Sequence, residues 1–112
     1  MQYALLIYGA EGRWEQFSEE EQQAMTEQYM AISRDPKTKG GADLGDLSQA
    51  TTVQVDNGKT LTTDGPFVET KEYLGGFYLI DADNLDDAIE VAAKIPAART
   101  GGTIEVRPVV EH

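Results

Sequence analysis

Carboxylates, tyrosines and one arginine are the side chains with which this chain can do chemistry. Asp64 precedes a Gly-Pro-Phe turn, and Glu69, Lys71 and Glu72 follow within eight positions. A desolvated carboxylate with a raised pKa can serve as a general base without histidine, so Asp64 and Glu69 are the candidate catalytic residues. Lys71 can pair with one carboxylate. Asp64 can also accept backbone amides two residues on, an Asx-turn that fixes the loop, while Phe67 plugs the core or a subunit seam. Arg107, on the strand side shared with Glu105, can hold a carboxylate or phenolate bidentately. Tyr8 and Tyr78 beside it can supply hydroxyl donors, and Trp14 can stack on a flat ligand. Arg107, Tyr8, Tyr78, Lys71 and Phe67 are thus the candidate binding residues, for a small anionic or aromatic molecule. Each has a plainer assignment: a rigid loop with solvated charges, a cross-strand ion pair of Arg107 with Glu105, core tyrosines, and a Trp14 packed over a sheet edge.

Other chemistries are excluded by composition. Cysteine is absent, so there is no disulfide, thiolate site or cysteine nucleophile. The single histidine is His112, the final residue, where no rigid triad, metal site or haem ligand is expected. The Asp81, Asp83, Asp86 and Asp87 run lacks the alternation and central glycine of a calcium loop, and no phosphate-binding glycine motif occurs. No metal and no cofactor is expected. Twenty acids against nine bases give a formal charge of -11, which opposes nucleic acid and anionic membrane as partners. No apolar run approaches the roughly 20 residues of a membrane span. Met1–Tyr8 reads as a strand without a basic leader, and the expected location is cytoplasmic. At 112 residues the chain is expected to form one domain over 1–112.

The elements that must position these groups are legible in outline. Residues 3–8 are apolar on both alternating sides, as in a central strand covered on both faces. Ser18-Glu19-Glu20-Glu21 fits a capping box, followed by Met25, Tyr29 and Ile32 at helical spacing and a stop near Arg34-Asp35-Pro36. Gly40-Gly41 opens a flexible connection. Residues 51–55 and 60–63 flank Asn57-Gly58, the hairpin signal of a type I′ turn. Residues 77–80 form a second strand apolar on both faces. Asn84 caps a second helix with Leu85, Ala88, Ile89, Ala92 and Ile95 inward, and residues 103–109 close as a strand with Ile104 and Val106 inward. Two helices over one face of an antiparallel sheet is the ferredoxin-like α+β solution, βαββαβ with an inserted β-hairpin. Two helices cover one face only, yet two strands are apolar on both, so a second copy is expected against the other face.

Asp64-Gly65-Pro66-Phe67, Glu69-Thr70-Lys71-Glu72 and Gly75-Gly76-Phe77-Tyr78, with Asp86-Asp87-Ala88 and Glu105-Val106-Arg107-Pro108, resemble the DGPF branch of the YCII-related family. The resemblance spans the whole chain. It implies a dimeric α/β-barrel of ferredoxin-like subunits and a small-molecule site, lyase- or isomerase-like, in the dimer cleft. The histidine-aspartate dyad used by enzymes on the YCII side, one a dechlorinating lyase acting on a chlorinated hydroxyquinol, is not carried over, since this chain has no internal histidine. The resemblance also implies an alternative, a non-catalytic regulatory module that meets a protein partner and is associated with an extracytoplasmic-function sigma factor.

Overall fold

The computed structural model describes residues 1–112. In chain order the elements are β1 (Gln2–Gly9), α1 (Glu19–Arg34), β2 (Thr38–Asp43), β3 (Thr51–Asp56), β4 (Lys59–Asp64), β5 (Tyr73–Asp81), α2 (Leu85–Lys94), α3 (Pro96–Arg99) and β6 (Thr103–Pro108). The main sheet runs β2-β5-β1-β6, every pair antiparallel, while β3 and β4 form a separate two-stranded sheet. This is a ferredoxin-like α+β arrangement with a hairpin inserted between its second and third sheet strands.

The local signals act as their chemistry dictates. Ser18 Oγ accepts from Glu21 N–H and the Glu21 carboxylate accepts from Ser18 N–H, closing the capping box. Asn84 Oδ1 accepts from Asp87 N–H at the start of α2. Asn57 (φ 48°) and Gly58 (φ 77°) both take positive φ in the β3–β4 turn. Tyr3, Leu5, Tyr78 and Ile80 pack with Ile32, Ala88, Ala92 and Ile95 as the core. Tyr78 Oη donates to the Tyr29 carbonyl at 2.9 Å, and Thr38 Oγ1 donates to the Ile32 carbonyl at 2.6 Å. These two bonds pin α1 over β5 and β2.

Three expectations are corrected. Residues 38–43 are no flexible connection but the edge strand β2, because Gly40 and Gly41 let this backbone lie against β5: a Cβ on Gly41 would sit 2.5 Å from the Phe77 carbonyl oxygen. Gly41→Ala is therefore expected to cost about 2 kcal/mol and to lower the melting midpoint by on the order of 10 °C, measurable by calorimetry. The helices number three, since Pro96 starts the short α3. The inward stripe of α2 is Ala88, Val91, Ala92 and Ile95, while Leu85 overhangs the first turn and Ile89 points about 100° away; both stand roughly half-exposed.

Residues paired across the strands share a face, and this separates the two sides of the sheet. Tyr3, Leu5 and Ile7 meet the helices with Tyr78, Ile80, Ile104 and Val106. Ala4, Leu6 and Tyr8 lie on the other face with Phe77, Leu79, Glu105 and Arg107. The three helices lie on the first side, and β3 and β4 pair with each other alone. The radius of gyration, 15.9 Å, exceeds the roughly 13 Å of a compact chain of this length, because the β3–β4 arm stands away from the body.

Candidate functional site

A cleft of about 900 Å³ opens on the helix side of the sheet, between α1 with the turn before it and the adjoining ends of β1, β5 and β2. Its floor carries Gly9, Gly40, Gly41, Gly75 and Gly76. Gly9, Gly41 and Gly76 stand on the helix face of their strands, where their missing side chains leave room that a packed core would otherwise fill, whereas Gly40, paired with Leu79, belongs to the open face. Trp14, Phe17, Met25, Tyr29, Met30 and Tyr73 line it as well, an aromatic and thioether surface suited to flat apolar ligands. Gln22 Nε2 donates to the Trp14 carbonyl at 2.8 Å, tying the single-turn helix at 14–16 to α1.

Arg13, Lys39 and Asp43 bring charge to this space. The Lys39 ammonium lies 3.8 Å from Asp81. Asp43, at the end of β2 opposite Gly76, pairs with no cation. Burial pushes the Tyr29 phenol above its ordinary value of 10.0; a backbone hydrogen bond at Ala97 pulls it down, Tyr78 and Asp43 add to the rise and Arg99 opposes it. A phenol whose pKa is higher folded than unfolded contributes stability that is complete below about pH 10 and lost as pH rises through the folded value. Tyr29→Phe should therefore flatten the fall in stability above pH 10, followed by urea unfolding at successive pH values.

The residues proposed from sequence are not gathered in one place. Tyr8 and Tyr78 both border the cleft, but from opposite faces: Tyr8 ends the open-face row of β1, while Tyr78 stands on the helix face, not beside Arg107, because its partner across the ladder is the buried Leu5. Arg107 is on the open face, 4.0 Å from Glu105, with its side chain well exposed. Asp64 ends β4, and Glu69, Phe67 and Lys71 follow on the exposed stretch leading to β5. The Asp64 carboxylate accepts no backbone amide; instead Gly65 N–H donates to the Ala50 carbonyl at 2.8 Å and Thr52 Oγ1 to the Gly65 carbonyl at 2.7 Å. Lys71 pairs with no carboxylate, the ion pairs being Lys39–Asp81 and Arg107–Glu105. Phe67 is 73% exposed and so plugs no core within the chain.

Arg13, Tyr29, Lys39, Asp43 and Tyr73 were not foreseen as site residues. Their signal was the pair of glycine doublets, Gly40-Gly41 and Gly75-Gly76, which lie in neighbouring strands beneath the cleft and put Gly41 and Gly76 on its floor. The YCII-related domain model matches residues 1–112, the whole chain. The chain belongs to the YCII-related family. An uncharacterised protein of Rhizobium meliloti (strain 1021) is 38% identical over 114 residues, covering 97% of this chain and 92% of its own. For a YCII-related chain without an internal histidine, the ionisable groups at the cleft are the carboxylate of Asp43, the phenols and two cations. No helix is long and apolar enough to cross a membrane.

Proposed function

We propose that the protein binds a small, flat, largely apolar molecule in the cleft beneath α1, and that it does so as a homodimer whose second copy covers the open sheet face. The observation that carries the first part is the glycine floor facing an aromatic wall across about 900 Å³, a volume within the ordinary range of ligand sites. Within one chain Asp64 and Glu69 lie outside this space. Asp43 is the carboxylate on it, and is the base that lyase or isomerase chemistry would draw on here. The alternative, a regulatory module for a protein partner, draws on the acidic surface alone, which selects no partner chemistry beyond a basic one.

Support for the second copy comes from area. Strands of six to nine residues in a four-stranded sheet, about 4.8 Å apart and 3.3 Å per residue, span on the order of 400 Å² on one face. With the β3–β4 arm added, this approaches the roughly 800 Å² per partner of a specific interface.

Trp14 is the only tryptophan and lines the cleft, so it reports on occupancy. Titration with 2-naphthol is expected to quench its emission saturably. Gly75→Phe should abolish the quenching: Gly75 lies on the cleft floor, and a Cβ there meets only the Ile7 carbonyl oxygen, at 4.0 Å, so the strand accepts the larger side chain. Saturable quenching that survives in Gly75→Phe would place the ligand elsewhere and overturn the assignment.

A further inference from the structure

The cleft holds a cation without a counter-ion. In a chain with 20 acidic and nine basic side chains, a guanidinium has many carboxylates to choose from, and two ion pairs take up Lys39 and Arg107. Arg13 lines the cleft and is only partly exposed. No acidic oxygen lies within 4.0 Å of it, nor does its side chain donate a hydrogen bond to any protein group.

Its position is nevertheless built. The guanidinium carbon stands 5.7 Å from the centre of the Phe17 ring, a cation–π arrangement. On another side it rests on Gly101, whose φ is +90°. A Cβ there would fall 2.7 Å from one terminal nitrogen and 3.1 Å from the other. Gly101 therefore both takes a backbone conformation that disfavours other residues and leaves the seat in which the guanidinium fits. A planar fork with free donors, held between a ring and a bare backbone, is suited to bidentate capture of a carboxylate.

We propose that the ligand of this cleft is an aromatic carboxylate, its ring against Trp14 and its anionic end on Arg13. The proposal rests on the cleft being the binding site. Charge in the cleft also sets the orientation. Asp43 belongs to β2, which β5 separates from β1, so the two strands lie about 10 Å apart. Like charge turns the carboxylate away from Asp43 and towards the Arg13 end. With Lys39 already beside Asp81, one free cation matches a monoanion and not a phosphate dianion.

Titration calorimetry with 2-naphthoate and 2-naphthamide, isosteres that differ in charge, tests this on the full chain. The naphthoate is expected to bind about tenfold more tightly or better, since hydrogen bonds to a charged group are the strong ones. Arg13→Gln should bring naphthoate down to the level of naphthamide, with Arg13→Lys in between because it keeps the charge and loses the fork. Asp43→Asn should tighten naphthoate modestly. Equal affinity of the two compounds for the unaltered protein, with both lost in Gly75→Phe, would leave the cleft standing and overturn the anion assignment. Binding of neither compound overturns it together with the cleft, and naphthoate binding untouched by Arg13→Gln also overturns it.

Discussion

Leu79→Glu is expected to halve the particle mass seen by light scattering, from twice 12.3 kDa to 12.3 kDa, while leaving the circular dichroism of the folded chain in place. Leu79 lies in the middle of the open face, with Ala4 of β1 on one side and Gly40 of β2 on the other. A two-fold interface repeats every substitution, so two carboxylates would enter an apolar seam at an effective penalty of several kcal/mol each. In the separated chain the same carboxylate reaches water, because Leu79 is only half-buried there. The core on the opposite face, with Leu5, Ile80 and Ile95 fully buried, is untouched by the change. A monomeric unaltered protein at micromolar concentration would overturn the dimer, as would a Leu79→Glu variant of undiminished mass.

That prediction draws on a pattern already visible in residues 3–8, where alternation assigned Tyr3, Leu5 and Ile7 to one side and Ala4, Leu6 and Tyr8 to the other, as the ladder bears out. Elements whose cause is local were legible in the same way. The Ser18 box, the Asn84 cap and the Asn57-Gly58 turn each follow from chemistry within four residues. What was not legible depends on distant pairing. Thr-Lys-Gly-Gly-Ala-Asp has almost no strand propensity of its own, and becomes β2 only because β5 offers it a ladder and Gly41 allows the approach. The cleft was hidden for the same reason. Arg13, Asp43 and Tyr73 are far apart in sequence and come together only through that pairing, whereas the prominent charged motif, Asp64 to Glu72, folds into the exposed arm and its return.

Replacing residues 46–71 by a short Gly-Ser linker is expected to leave the melting midpoint within a few degrees of the unaltered protein and to weaken the dimer at least tenfold. The excursion between β2 and β5 contributes no strand to the main sheet. Its β3–β4 pair presents Val53 and Val55 on one face, with Thr62 and Thr60 opposite, and Leu61 on the other. Val53 is 59% exposed, Val55 69% and Phe67 73%. An isolated two-stranded hairpin is marginal in water, so in the proposed dimer the exposed apolar side chains of this arm would gain stability from a surface outside its own body. The second copy, whose open face is also apolar, supplies that surface in the dimer proposed for this protein. Burying a single such side chain is worth about 1.5 kcal/mol, already a factor of ten in affinity. The body has no need of the arm for closure: Leu44 N–H donates to the Gly75 carbonyl at 2.9 Å, so β2 and β5 are adjacent where the excursion leaves and returns. A shorter connection there also costs less closure entropy. Collapse of the shortened chain in calorimetry would make the arm part of the chain's own fold, and an unchanged dissociation constant in sedimentation would place the arm away from the partner.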